Sequence, residues 1–228
     1  MNKFTEIFEE LARHNDRSII WNNWLDYVIS INLINHDGEK TNYYGNEEAY
    51  VELMEAWLNE LTVKLETEPY YDILGEFYEE LVQSKSKSKS LGQAYTPPSV
   101  TNLLSEITID ESSGFANDPT CGSSRTLLAT HVKSKGDLIC IGQDLDLTSC
   151  QMSVLNFFSH GVRGSILHMD TLTGEFFQGW RINRYLYDGI PVPHIEKISS
   201  PGDATDFIGV KKTDVVEEVK PAGQMTLM

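Results

Sequence analysis

The sequence lacks the features of several specialised protein classes. No apolar run reaches the roughly 18 to 20 residues that a membrane-spanning helix needs, and Met1–Glu6 has neither the charged nor the apolar region of a signal peptide. The chain has only three cysteines, and none forms a C-x-x-C pair. These absences argue against a membrane protein, a disulfide-stapled secreted domain and a zinc knuckle. We expect a cytoplasmic protein with no membrane partner and no metal site.

Positive charge is also scarce, above all in the first third of the chain. The 228 residues contain 18 Lys and Arg against 34 Asp and Glu, a net charge of −16. Residues 1–82 hold 5 basic and 18 acidic residues, whereas the remainder holds 13 and 16. A strongly acidic protein does not bind a polyanion by bulk attraction, so any contact with nucleic acid requires a local basic surface.

The first 82 residues have the apolar spacing of helices. That spacing predicts helices over residues 4–11, 50–65 and 70–81. A further segment, residues 18–34, is apolar on most sides and is predicted to be the buried centre of the group. We therefore predict an acidic helical bundle over residues 1–82.

A run of alternating serine and lysine follows this bundle. It has no apolar residue to bury, which predicts a linker over residues 83–90. The alternative is that its lysines contact phosphates beside an active site.

From Leu91 onward, predicted strands and helices alternate. Strands at 115–118, 137–143 and 165–169 are separated by helices at 124–132 and 148–158, an order typical of a parallel, doubly wound sheet. After Asp170 the alternation ends, and two strands at 179–187 and 192–198 predict an antiparallel hairpin at the sheet edge. Residues 199–228 show little pattern and predict a flexible tail.

Two turns after predicted strands have the composition of a nucleoside site. Asn117–Ser124 is a small-residue turn that lets a ligand approach the backbone and the start of a helix. Ile141–Asp144 ends the next strand on a carboxylate, which can accept hydrogen bonds from both ribose hydroxyls. The sequence has neither G-x-G-x-x-G nor G-x-x-x-x-G-K-[ST], which argues against nicotinamide cofactors and nucleoside triphosphates.

Six segments match known motifs that occur in one fixed order. They are Asp72–Glu79, Leu91–Pro97, Asp118–Ser124, Gly142–Asp146, Asn156–Gly161 and His168–Leu172. Among them, D-P-T-C-G-S-S resembles D-P-[AT]-C-G-[ST]-G, and L-G-Q-A-Y-T-P resembles G-Q-[FY]-[FY]-T-P. In this order the segments resemble the motifs of the N6-adenine DNA methyltransferases related to the modification subunits of type I restriction systems, in which the D-P-[AT]-C-G-[ST]-G loop holds S-adenosylmethionine.

This resemblance implies an α/β fold. Residues 91–198 would form a Rossmann-like class I S-adenosylmethionine-dependent methyltransferase sheet, preceded by the all-α N-terminal bundle. It also implies DNA and a partner subunit as binding partners. The residues implied for S-adenosylmethionine are Tyr95, Thr96, Pro97, Asp118, Thr120, Cys121, Gly122, Asp144, Leu145, Asp170 and Thr171.

Within that set the resemblance implies different roles. Thr96 and Pro97 would border the methionine end of the cofactor, and the loop from Asp118 would lie beneath it. Asp144 would hold the ribose, and Asp170 would lie by the adenine. Taken singly, Asp118 also suits a helix cap and Asp144 a solvated strand end.

The sequence departs from the family at two positions. Ser124 replaces the last glycine of the loop, where its Cβ would crowd the ligand, although serine at a helix start is also a good cap. The [ND]-P-P-[YFW] tetrapeptide that holds the flipped base in this family is absent from the sequence. The nearest stretch, Asp188–His194, is interpreted as prolines at strand boundaries. The catalytic residues therefore stay unknown.

Two functions remain open on this basis. The first is a DNA adenine-N6 methyltransferase of a mobile element or restriction-modification system, whose base-holding loop is divergent or supplied by a partner chain. The second is a catalytically inactive, cofactor-binding regulatory or DNA-associated protein recruited through its C-terminal tail. A methyltransferase for a small molecule or a protein fits the cofactor site, but not the helical N-terminal part.

Three other features have competing interpretations. Cys121 lies in the loop with no histidine nearby in sequence, which favours a packed residue over a nucleophile. Arg163, Arg181 and Arg184 suit a nucleic-acid face or an ordinary sheet edge equally well. The C-terminal segment resembles the Q-[LM]-[ST]-L-[FM] pentapeptide that docks into the bacterial sliding clamp, here through Gln224, Leu227 and Met228, and the alternative is an inert tail.

Overall fold

The N-terminal part of the chain is helical, as predicted. The structure is a computed structural model that describes residues 2–34, 45–82, 101, 114–187 and 190–205. The N-terminal helices are α1 (Lys3–Leu11), α2 (Arg17–Ile31), α3 (Glu47–Leu65) and α4 (Ile73–Phe77), and α4 continues as a π-helical turn over Tyr78–Val82.

Helix α2 is the buried centre of this group, which confirms the prediction from its apolar composition. Its residues Trp21 and Trp24 are fully buried, and the rings of both contact the ring of Phe4 in α1 edge-on. The helix begins where Asp16 accepts hydrogen bonds from the Ser18 and Ile19 backbone N–H groups. Because α2 carries apolar residues on most sides, neighbouring elements can pack against several of its faces.

The predicted alternation of strands and helices is also confirmed. Strands β1 and β2 are parallel, as are β2 and β3, and a helix crosses over between each pair. The order is β1 (Phe115–Asp118), α5 (Arg125–Lys133), β2 (Ile139–Asp144), α6 (Leu147–His160) and β3 (Gly164–Asp170).

Antiparallel strands extend the sheet beyond β3. Strand β4 (Glu175–Ile182) pairs with β3 and β7 (Ile195–Ile198) pairs with β4, while β5 (Leu186–Tyr187) and β6 (Ile190–Pro191) form a separate small hairpin. Among the described residues, the strand order of the sheet is β1-β2-β3-β4-β7. The predicted antiparallel closure is confirmed with different bounds. Strand β4 begins earlier than predicted because a four-residue turn after Asp170 reverses the chain directly onto β3.

One hydrophobic core joins the helical part to the sheet. Buried residues of α1 to α4, α5, α6 and the strands form a single cluster, and α2 packs against α6. The end of α2 also bonds the last strand of the sheet, because the Ile34 N–H donates to the Ile195 carbonyl (2.9 Å) and the Ile195 N–H donates to that of Asn32 (3.2 Å). The residues predicted as two domains thus share one core.

The predicted tail needs a correction at its start. Residues 201–205 form a 3-10 turn in which Asp203 accepts the Ser199 and Ser200 N–H groups. Ala204 is buried against Leu167 and Ile198. Because this small apolar residue covers the sheet, residues 199–205 are part of the fold. The rest of the predicted tail, Gln224, Leu227 and Met228 included, and the predicted linker over 83–90 lie outside the described residues.

Two features are absent from the described ranges. No helix there is both long and apolar enough to cross a bilayer. The same ranges contain no group of three or more His, Cys, Asp or Glu side chains that could hold a metal ion.

His160, at the end of α6, is held as a neutral imidazole. Its Nε2 accepts the Tyr71 backbone N–H (3.3 Å), so the proton is on Nδ1, which donates to the Asn156 carbonyl oxygen (2.9 Å). Burial lowers the pKa of His160, although the Asn156 carbonyl and the charge of Asp72 oppose this. The unfolded chain therefore binds the proton at a higher pH than the folded chain. The resulting stability is present above about pH 6.5 and is lost as pH falls through the lowered folded pKa.

The free energy of unfolding is accordingly expected to fall as the pH is lowered below about 6.5. In His160→Gln the slope over this range should decrease by at most about 1.4 kcal/mol per pH unit. It should not vanish, since burial also lowers the pKa of His131 and His194. Chemical denaturation at several pH values measures the slope. His14→Gln, at an exposed position after α1, is the control, and an unchanged slope in His160→Gln would contradict the assignment.

Candidate functional site

Three aspartates lie at one edge of the sheet. Asp118, Asp144 and Asp170 are the last residues of β1, β2 and β3, which are adjacent and parallel. In the register of the sheet, Asp118 is paired with Gly142 and Asp144 with His168. We call this side the carboxyl edge. In α/β proteins, ligands bind outside the carboxyl ends of the strands, which makes this edge the candidate site.

The loop over residues 119–124 (the 119–124 loop) connects β1 to α5 and lies against the end of β2. Asp118 begins it by accepting the Thr120 N–H through Oδ1 (3.1 Å). The Cys121 N–H donates to the Gln143 carbonyl (2.8 Å), and the Gly122 N–H donates to Asp144 Oδ2 (2.9 Å). Gly122 has a φ of +56°, which glycine adopts without strain. The loop and the end of β2 are thus one connected structure.

Asp144 is the residue that joins them. Besides the Gly122 N–H on Oδ2, it accepts the Asp146 N–H on Oδ1 (2.9 Å). An ionised carboxylate has about four acceptor positions, two on each oxygen. Each oxygen therefore keeps capacity for a further donor, which is what a pair of vicinal hydroxyls requires.

The electrostatics of the edge oppose anionic ligands. Burial raises the pKa of Asp118, and the negative charge of Asp144 raises it further, while the Thr120 N–H acts in the opposite direction. Two neighbouring carboxylates repel a phosphate and attract a ligand that is cationic or rich in O–H donors. This agrees with the absence of a P-loop motif from the sequence, which argued against a nucleoside triphosphate as the ligand.

Ser124 is accommodated in a way that the sequence did not predict. It precedes α5 at φ +70° and makes no side-chain cap bond, so the expected helix cap is wrong. Its hydroxyl is buried and donates to Ser153 Oγ (2.8 Å), which in turn donates to the Gly122 carbonyl (2.6 Å). Ser124 therefore faces α6 and braces the loop. The left-handed backbone explains why glycine suits this position.

Asp170 lies at the predicted edge but also closes a turn. Its Oδ1 accepts the N–H groups of Leu172 (2.9 Å) and Thr173 (3.2 Å), and these bonds lower its pKa. Thr171, also in the predicted set, is the first residue of this turn. The role of Asp170 beside an adenine ring stays a prediction.

Two leucines expose apolar surface next to these aspartates. Leu145 follows β2 and is 62% exposed, and Leu172 in the β3–β4 turn is 96% exposed. Leu145 belongs to the predicted set, whereas Leu172 does not. Exposed apolar side chains beside carboxylates suit a ligand with one apolar, flat part and one polar part.

The remaining predicted residues divide into two groups. Tyr95, Thr96 and Pro97 lie outside the described residues. Cys121 is buried in the loop, with Sγ 3.7 Å from Ser153 Oγ, and burial raises the pKa of its thiol to about 12. A thiol with so high a pKa is not a nucleophile at neutral pH, which favours the packed-residue interpretation.

The arginines and the proline stretch have structural roles. Arg181 is buried and pairs with Glu196 (3.2 Å), and Arg184 lies 4.0 Å from the same carboxylate. Arg163 donates to the Arg184 carbonyl (3.4 Å). These contacts favour an ordinary sheet edge over a nucleic-acid face. Pro191 lies in β6, as expected for a proline at a strand boundary, while Asp188 and Gly189 lie outside the described residues.

Sequence reasoning missed one buried charge beside the loop. Asp72, the residue before α4, binds Ser123 and Arg125 at the start of α5 and Asn156 of α6. Asp72 and Asn156 both lie in segments that resemble the family, so the signal was present. Their contact was not predicted because 84 positions separate them in the chain.

Comparisons with known proteins identify a family. The model of a family described as N-6 DNA methylase matches residues 70–186, slightly more than half of the chain. The type I restriction enzyme MjaVIII methylase subunit of Methanocaldococcus jannaschii is 29% identical over 99 residues, which cover 42% of this chain and 17% of that protein. No solved structure matches the chain significantly.

Proposed function

Because the chain belongs to the N-6 DNA methylase family, we propose that it binds S-adenosylmethionine at the carboxyl edge and serves adenine-N6 methylation of DNA in a restriction-modification system. The observation that supports this most is Asp144, whose carboxylate ends β2, receives two backbone N–H groups and keeps acceptor capacity on both oxygens. The loop it holds is the one that resembles the family's cofactor loop.

The residues of the carboxyl edge fit this cofactor. Asp144 would accept the two ribose hydroxyls, and Leu145 would cover part of the adenine. Asp118 and Asp144 together make the site negative, which suits the sulfonium and ammonium charges of S-adenosylmethionine. When bound, the cofactor supplies an electrophilic methyl group. The chain's own contribution is to hold and orient it beside the end of β1.

Methylation of a base also requires a loop that holds the target adenine beside the cofactor. In doubly wound sheets the ligand crevice lies where the strand order reverses beside the first strand. Within the described residues, β1 pairs with β2 alone, and both crossovers run in the same direction. The sequence also has no [ND]-P-P-[YFW] segment. We therefore propose that a partner subunit supplies the base-holding loop next to β1.

Calorimetric titration with S-adenosylmethionine, and in parallel with S-adenosylhomocysteine, tests the cofactor. We expect saturable one-site binding of both, with dissociation constants in the micromolar range. Absence of heat with either ligand at protein concentrations near 100 μM, together with absence of a shift in melting temperature, would contradict the proposed cofactor.

Transfer of a tritiated methyl group to unmethylated DNA then separates the two functions left open by the sequence. Incorporation that requires addition of a candidate partner subunit supports the partner-supplied loop. Incorporation by the chain alone would contradict the need for a partner. Cofactor binding without transfer under either condition would favour the catalytically inactive, regulatory alternative.

A further inference from the structure

We propose that Asp72 is a positioning residue that sets the conformation of the 119–124 loop and thereby makes ligand binding at the carboxyl edge depend on the N-terminal helices. The identity of the ligand rests on the proposed function, whereas the control of the loop does not. The side chain of Asp72 is 1% exposed, so its charge must be balanced by protein groups.

One carboxylate oxygen of Asp72 binds the loop and the start of α5. Oδ2 accepts the Ser123 hydroxyl, and it also accepts Arg125 Nε (3.1 Å), with Arg125 Nη2 at 3.0 Å. Ser123 is a residue of the loop, and its neighbour Gly122 donates to Asp144. A single buried oxygen is therefore connected through two residues to the proposed ribose acceptor.

The other oxygen binds α4 and α6. Oδ1 accepts the Gly75 N–H (2.9 Å) and Asn156 Nδ2 (2.8 Å). Asn156 Nδ2 also donates to the Ser123 carbonyl (2.8 Å), so the amide joins Asp72 to the loop a second time. Asn156 Oδ1 is buried and has no hydrogen-bond partner in the described part of the chain. Turning the amide over would direct that oxygen at the carboxylate, so the two contacts dictate its orientation.

A glycine in α4 allows the carboxylate of Asp72 to lie close to the helix backbone. A Cβ on Gly75 would lie 2.2 Å from Asp72 Oδ2, well inside contact distance. Only glycine leaves room for the carboxylate at this place. The position of Asp72 is therefore specified by the residue that follows it by one helical turn, as well as by its own partners.

Helix α4 is in turn held by the bundle. The Phe77 ring stacks on that of Phe4 in α1, with centroids 4.3 Å apart. Arg17 of α2 donates from Nη1 to the Leu81 carbonyl in the π-helical turn (2.9 Å). A continuous set of contacts thus runs from α1 and α2 through α4 and Asp72 to the loop and Asp144. A shift of α4 within the bundle would move the loop.

The variant Asp72→Asn tests this with little change in volume. It removes the negative charge that pairs with the Arg125 guanidinium and places an amide against Ser123 and Asn156. We expect the backbone amides of Thr120 and Gly122 to exchange hydrogen at least 10-fold faster than in the parent chain. We also expect S-adenosylmethionine to bind at least 10-fold more weakly, with unchanged helix content by circular dichroism.

The matched control is Ile198→Ala, which removes buried volume from β7, away from the contacts that run through α4 and Asp72. Ile198 is buried with Leu167 and Ala204, in a cluster separate from the one that includes the bundle. This variant should be destabilised, while its cofactor affinity and its loop exchange relative to global exchange should match those of the parent chain. An effect of Asp72→Asn no larger than that of Ile198→Ala would overturn the positioning role.

Two further comparisons keep the test decisive. If Asp72→Asn does not fold, Ser123→Ala removes only the loop-side hydroxyl and should still accelerate exchange at Thr120 and Gly122; parent-like exchange there would overturn the inference. If the parent chain binds no S-adenosylmethionine, the proposed cofactor fails. The exchange comparison then decides the control of the loop by itself.

Discussion

The Asp144→Ala variant is expected to bind S-adenosylmethionine about 10- to 150-fold more weakly than the parent chain. Hydrogen bonds to a charged acceptor contribute about 1.5 to 3 kcal/mol, which converts to that range of affinity. The variant loses the acceptors proposed for the ribose, and it also releases the Gly122 N–H that holds the 119–124 loop. Titration calorimetry at a temperature where both proteins are folded measures the change.

Two companion variants locate this effect. Asp137→Ala removes an exposed aspartate just before β2, at the opposite end of the same strand, and should leave the affinity unchanged. Asp144→Asn keeps one acceptor oxygen and should give an intermediate affinity. Parent-like binding by Asp144→Ala would contradict the proposal that the ribose lies at the end of β2, and with it the proposed site.

The Gly164→Ala variant is expected to lose more than about 3 kcal/mol of the free energy of unfolding. A Cβ at this position would lie 1.8 Å from the Cys140 carbonyl oxygen and 3.0 Å from the Phe157 ring. The first of these is backbone of the neighbouring strand, so β2 and β3 must separate. For a chain of this length, the loss corresponds to a melting temperature lower by roughly 6 to 12 °C.

This variant also bears on the site. Strands β2 and β3 begin side by side at Cys140 and Gly164, and their alignment brings Asp144 and Asp170 to one edge. We therefore expect weaker cofactor binding even at temperatures where the variant is folded. Gly202→Ala is the control, because among the described residues its added Cβ would meet only Ser200 Oγ, at an ordinary 3.5 Å. Equal stability of the two variants would show that the sheet tolerates the side chain.

Periodicity predicted most of the regular elements because it records burial directly. The all-round apolar character of residues 18–34 identified α2 as the buried helix, and the alternation of strand and helix identified β1 to β3. The edge shared by Asp118 and Asp144 followed from that order, since the carboxyl ends of neighbouring parallel strands lie side by side. Local pattern was sufficient for these features because each depends on residues a few positions apart.

The β3–β4 turn and the role of Ser124 were less accessible. Strand β4 begins at Glu175 because Asp170 accepts two backbone N–H groups that close the turn before it. Ser124 has the composition of a helix cap, but its hydroxyl finds a buried partner in Ser153 of α6. In both cases the residue type suggested a polar local role, but the sequence did not reveal which group the side chain would bind.

The sequence by itself determined the order of the elements, the family and the strand ends at which we propose that a ligand binds. Only the tertiary structure decided which buried charges are balanced and by what. Asp72 reads as an ordinary helix-start acid, yet its carboxylate joins α4, α6 and the 119–124 loop. Arg181 reads as a surface cation, yet it is buried against Glu196. The physical reason is that a charge is stabilised by groups brought near it in space, and those partners leave no regular spacing along the chain.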